Sequence, residues 1–264
     1  MAQPKRRKKT SPPAAEQSAA QPTTPARGYQ LDFTPRSEMQ NQTLKIIMDH
    51  DLSFVIGPTG TGKTFLATVA ALRSLYSRRS PIKKLIVVRP AVTAQEDIGF
   101  LPGGVDEKLS QFVAPVYDHI IKLVGQEEFD HLIKKGKVEV VPIGYLRGRN
   151  FDNCFVILDE AQNANIDQFK LTITRIAENG KIAVCGDIEQ LDIPREYSGL
   201  VDAIPRFSDD PTFGFVALPE TEIQRHPLVA RILSKYKNPG PDDQPKVVSS
   251  NDDRPAAGID LEQL

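Results

Sequence analysis

The residues Gly57-Pro58-Thr59-Gly60-Thr61-Gly62-Lys63-Thr64 have the spacing of a phosphate-binding loop, G-x-x-x-x-G-K-[ST]. Gly57, Gly60 and Gly62 let the backbone turn so that its N–H groups face inward as an anion cradle. Lys63 brings a point charge to the β- and γ-phosphates of a nucleoside triphosphate, and the Thr64 hydroxyl can ligate Mg²⁺. Further along, the apolar run Phe155-Val156-Ile157-Leu158 ends in Asp159-Glu160. Two adjacent carboxylates at a strand tip are costly unless a cation sits nearby. Asp159 is expected to hold Mg²⁺ through water, and Glu160 to polarise the attacking water as general base. The plainer alternative is a helix N-terminus enriched in acids. A third run, Ile182–Cys185, ends in Gly186-Asp187-Ile188-Glu189-Gln190. Gln190 is a candidate to sense the γ-phosphate, with Asp187 orienting it; the plainer alternative is a tight turn made by Gly186 and Asp187.

These groups converge only if the chain places them at one edge of a sheet. Strands are expected at Leu52–Ile56, Lys84–Val88, Val138–Val141, Cys154–Leu158, Ile182–Cys185 and Phe213–Leu218. Helices are expected at Ser37–Asp49, Lys63–Ser77, Asp106–Val124, Gln126–Lys134, Ile166–Glu178 and Pro227–Lys237. Most of the strands are apolar at consecutive positions, so both faces must be covered. The expected fold is therefore α/β, a mostly parallel sheet with helices on both faces. Ligands in such sheets bind at the carboxyl ends of the strands, where every motif above falls.

Residues 1–28 carry a net charge of +5 and residues 238–264 a net of −4, and neither has an apolar period. Both read as disordered tails, one basic and one acidic, flanking a folded body at residues 29–237. The basic arm can attract nucleic acid or an acidic surface, or can simply be solvated. No apolar run approaches the ~20 residues needed to span a bilayer. No secretory signal pattern follows the basic start. Cys154 and Cys185 sit in apolar runs and read as small buried hydrophobes. A reducing, cytoplasmic setting is expected.

Several segments then carry a resemblance across nearly the whole body: Gly57–Ala67, Arg89–Gly103, Tyr145-Leu146-Arg147-Gly148-Arg149, Ile157–Asn163, Gly186-Asp187 with Gln190, Ser198-Gly199-Leu200, and Arg225-His226-Pro227-Leu228-Val229. In this order the chain resembles the PhoH-like family. One departure is Gln95-Glu96, where the family usually has a glycine before the acid. The resemblance implies a single RecA-like P-loop ATPase domain, similar to the first motor domain of superfamily 1 helicases. It implies ATP binding by Lys63 and Thr64, with Asp159 and Glu160 in the roles argued above. It also implies that Gln42 reads adenine, since an amide offers both a donor and an acceptor. Arg225, in the last of the matching segments, is the candidate to stabilise charge on the γ-phosphate, unless it pairs locally at the surface.

A motor of this class closes two such domains on one nucleotide, and this body has room for one. A neighbouring subunit is therefore expected to supply the second wall, making a homo-oligomer. The expected function is Mg²⁺-dependent ATP hydrolysis, acting on RNA or single-stranded DNA. Arg89, Arg147 and Arg149 are its basic candidates and Tyr145 its stacking surface. The alternative is a P-loop kinase or nucleotide-gated switch without a nucleic-acid substrate; Glu160 argues for hydrolysis instead.

Overall fold

The computed structural model describes residue 31, residues 33–90 and residues 105–223, with backbone alone at 105–112. The two tails, Arg225, the expected helix Pro227–Lys237 and the segment Gly99–Gly103 lie outside the described residues.

Six strands form one sheet: β1 Leu52–Ile56, β2 Lys84–Arg89, β3 Val138–Pro142, β4 Cys154–Leu158, β5 Lys181–Gly186 and β6 Gly214–Ala217. Their order is β3-β2-β4-β5-β1-β6, and every neighbouring pair is parallel. The helices are α1 Glu38–Asp49, α2 Lys63–Tyr76, α3 Val105–Val124, α4 Gln126–Lys134, α5 Ile166–Ile173 and α6 Gly199–Phe207. Among the described residues no helix is long and apolar enough to cross a membrane.

The consecutive apolar residues of each strand divide between two cores. Val55, Val87, Ile157 and Cys185 pack with α1 to α4 on one face. Phe54, Val88, Leu158 and Val184 pack with α5 and α6 on the other. The two-residue period of a strand sends alternate side chains to opposite faces, and here both faces are dry. Phe54 is fully buried and stacks on Phe215 at 4.3 Å, with Phe169 and Phe207 beyond.

Two elements depart from expectation. Helix α5 stops at Ile173, short of Glu178, because the following backbone is used elsewhere. The carbonyls of Arg175 and Glu178 accept from Phe151 N and Asn153 N, which lead into β4. Helix α6 was not expected at all. Its apolar residues Leu200, Ala203, Ile204 and Phe207 do have helical spacing, but Pro205 lies among them and Gly199 opens it.

The strand order decides what meets at the carboxyl edge. β5 lies between β1 and β4, so three motif-bearing loops leave adjacent strand ends. At ~4.8 Å per strand, the loop after β1 and the acids after β4 start about 10 Å apart. Helix α2 spans that gap, since it packs across β4 and β5.

Candidate functional site

Gly57 sits where only glycine fits. Its φ is +156°, and an added Cβ would lie 2.5 Å from the Leu218 carbonyl oxygen. Its N–H donates to Gly186 O at 3.1 Å, and Leu218 N donates to Ile56 O at 2.7 Å. The loop is thus clamped between the ends of β5 and β6. Gly62 caps α2 in the left-handed region at φ +85° and hands the chain to Lys63. Lys63 is buried, and its ammonium donates to Gly57 O at 2.7 Å and Pro58 O at 3.0 Å. Thr61 Oγ1 donates to Pro58 O at 2.8 Å, tightening the same turn.

The Thr64 hydroxyl donates to Asp159 Oδ1 at 2.5 Å, joining the phosphate loop to the acid-bearing strand. Arg89, at the end of β2, reaches Asp159 Oδ2 at 3.3 Å. The cation required by a buried carboxylate is therefore at hand: the Asp159 side chain is only 8% exposed. Glu160 follows in the left-handed region at φ +51°, a conformation uncommon for a residue with a side chain. Its Oε2 accepts from Gln162 Nε2 at 2.8 Å.

The loop after β5 closes on the phosphate loop. Asp187 Oδ2 accepts from Thr59 N at 2.9 Å, and Gln190 Oε1 accepts from Thr59 Oγ1 at 2.9 Å. Gln190 therefore meets the phosphate loop directly, and Asp187 is a strut of that loop. A tight turn is also present, with Glu189 N donating to Asp187 Oδ1 at 3.0 Å.

A cleft of 780 Å³ is lined by Lys63, Thr64, Asp159 and Glu160 together with Phe33, Arg36 and Gln40. Gln42 does not reach it. It is exposed on α1, whereas Gln40 is 5% exposed and lines the cleft. A helix turns 100° per residue, so two positions move a side chain about 200° around the axis. Ser37 caps α1 by accepting from Gln40 N at 3.2 Å, and Gln40 Oε1 accepts from Arg36 N at 2.9 Å. The pattern Ser37-x-x-Gln40 resembles a capping box, and that signal in the sequence marks the inward glutamine.

Helix α3 supplies a wall that the sequence reading missed. His119 and Lys122 line the cleft and pack around Phe65, with ring centroids 5.6 Å apart for the histidine and the ammonium 5.6 Å from the ring centre. Burial pushes the His119 imidazole below its ordinary pKa, helped by the positive Lys122 and Arg89 and opposed by Asp118. Cys185 lines the same cleft, and complete burial drives its thiol well above the usual range. Cys154 opens β4 at the opposite end of the strands, so the two thiols face different surroundings.

Two of the three candidate basic residues serve internal pairs. Arg89 holds Asp159, and Arg149 forms a two-pronged contact with Glu139 at 2.9 and 2.8 Å. Arg149 and Lys84 together hold the Glu139 carboxyl down at about 2. Arg147 and Tyr145 are exposed beside the end of β3, Tyr145 at 74%.

A family model described as PhoH-like protein matches residues 32–237. A PhoH-like protein from Synechocystis sp. is 43% identical over 199 residues, covering 75% of this chain and 60% of that protein. Protein PhoH of Escherichia coli is 40% identical over 204 residues, covering 76% and 57%. The chain thus spans about 60% of the length of such relatives. A crystal structure of Pif1 helicase from Candida albicans aligns with a TM-score of 0.41 at 16% identity, covering 78% of this chain and 44% of that one, too loose a match to argue from. The family match extends across the sheet and the cleft residues, and the relatives cover three-quarters of the chain: the chain belongs to the PhoH-like protein family.

Proposed function

We propose that the chain binds ATP with Mg²⁺ in the cleft and hydrolyses it. The observation that carries this reading is the contact of Thr64 with Asp159, with Glu160 beside it in the same cleft. A kinase or a simple switch needs the loop but has no use for Glu160.

The Lys63 ammonium, which now holds two loop carbonyls, turns to the β- and γ-phosphate oxygens. Gln40, in place of Gln42, is the amide that reads adenine, with Phe33 beside it in the cleft wall. The hard oxygens of Thr64 and Asp159 fit Mg²⁺, which takes one or two protein ligands and completes its shell with water and phosphate. When bound, the ion neutralises charge on the phosphates. Glu160 takes the proton of the attacking water, and Gln190 senses the γ-phosphate. Arg225 is the proposed source of positive charge at the transferred group.

The proposal extends to RNA or single-stranded DNA as the effector, a role for which exposed Tyr145 and Arg147 are suited by stacking and charge. It also places a neighbouring subunit across the cleft. The test is phosphate release from ATP, with and without Mg²⁺, against a panel of RNA and single-stranded DNA over a range of salt. The expected result is Mg²⁺-dependent turnover that rises with nucleic acid and loses that rise at high salt. Turnover that ignores every nucleic acid at low salt would remove the effector from the account and leave the ATPase standing.

A further inference from the structure

We infer that Gln162 is a positioning residue for Glu160, and that it ties this carboxylate to the phosphate loop. The inference rests on the reading of Glu160 as general base.

Gln162 is 2% exposed, deep beneath the strand tips. Its Nε2 donates to Glu160 Oε2 at 2.8 Å and to Gln190 O at 3.0 Å. Its Oε1 accepts from Asp187 N at 3.1 Å. Both N–H groups and the carbonyl of the amide are thus in use. The partners also fix its orientation. A flipped amide would set its oxygen against a carboxylate and a carbonyl, and its NH₂ against an N–H.

The surroundings hold this side chain in place. Ser198 Oγ donates to Gln162 O at 2.7 Å, anchoring its backbone. A Cβ added at Gly186 would come within 3.0 Å of Gln162 Oε1 and closer still to Leu200, so residue 186 must lack one for the amide to sit there. From Gln162 the path continues outward. Asp187 Oδ2 and Gln190 Oε1 both accept from Thr59, in the middle of the phosphate loop. A movement of Thr59 on the γ-phosphate is therefore two hydrogen bonds from the Gln162 amide, and three from Glu160.

The contact fixes the orientation of the carboxylate. With Oε2 held by Gln162, the carboxylate turns Oε1 to the attacking water. Removing the amide frees the carboxylate to rotate, and a small displacement of a reacting group costs a large factor in rate.

The experiment uses the full chain with Gln162→Ala and the same-sized Gln162→Glu, beside wild type and Glu160→Gln. Three quantities are read: melting temperature, Kd for ATP and kcat. For Gln162→Ala the expected Kd stays within about threefold, while kcat falls at least ~10-fold. Gln162→Glu, which keeps the size but sets a carboxylate oxygen where the amide donated to Glu160, lowers kcat in the same way at an unchanged Kd and guards against a misfolded alanine variant. A wild-type kcat in both variants would overturn the inference, and so would a rise in Kd as large as the fall in kcat. Loss of turnover in Glu160→Gln alongside normal Gln162 variants would sink this inference alone. Absence of turnover in wild type would sink it together with the ATPase reading.

Discussion

Single residues of the cleft are fixed either by the turn they build or by contacts made across the fold. Gly57 to Thr64 is a single turn whose glycines and lysine follow from the turn itself. Gly57→Ala is expected to abolish nucleotide binding and lower stability, because the new Cβ meets the Leu218 backbone and the left-handed φ is lost to it. Nucleotide binding with a melting curve alongside checks this. Gly62→Ala meets no atom within 4 Å and carries only the strain of its φ, so it should be the milder of the two. Gln40 and Gln42 show the limit from the other side. Both are glutamines on one helix, and only the cap at Ser37 decides which of them faces the cleft. Gln40→Ala is expected to weaken ATP binding several-fold while Gln42→Ala leaves it unchanged, as an ATP titration of each variant reads out. Gln162 was equally hidden, since its importance lies in three partners, one beside it after β4 and two in the loop after β5.

At the scale of elements the apolar runs were sufficient to place all six strands, because a parallel sheet buried on both faces leaves little choice of residue. Their order was not legible, and the order is what puts β5 between the loop strand and the acid strand. Helix α5 was drawn too long because the pull of residues 151–153 on its last carbonyls is a tertiary effect. The core makes one quantitative prediction: Phe54→Ala should cost about 3–5 kcal/mol in chemical denaturation, since it removes a buried ring stacked among other rings. The edge of the sheet makes another. Arg149 and Lys84 hold Glu139 at about 2, against an ordinary 4.5, so Glu139 binds a proton more weakly in the fold than in the unfolded chain. Its contribution is complete above pH 4.5 and is lost as the pH falls from there towards 2. Melting temperature measured across that window should fall less steeply for Glu139→Gln than for wild type. The effect is modest, because the carboxylate is one-third exposed and screened by solvent.

For the whole molecule, one sheet with helices on both faces brings three motif loops to adjacent strand ends, and the loops after β1 and β4 line one cleft. That arrangement supplies one side of a nucleotide site. The proposed second side comes from another copy of the chain, so light scattering should report an assembly larger than a monomer when ATP is present. A strict monomer with full turnover would contradict it. The central claim is narrower and does not depend on assembly: Glu160 activates water in a cleft that Lys63, Thr64 and Asp159 prepare for ATP and Mg²⁺. The most direct test is ATP binding and phosphate release measured side by side on wild type and Glu160→Gln. The account predicts unchanged binding and a release rate lower by ~10²–10⁴-fold in the variant. A variant that binds ATP and releases phosphate at the wild-type rate would contradict it.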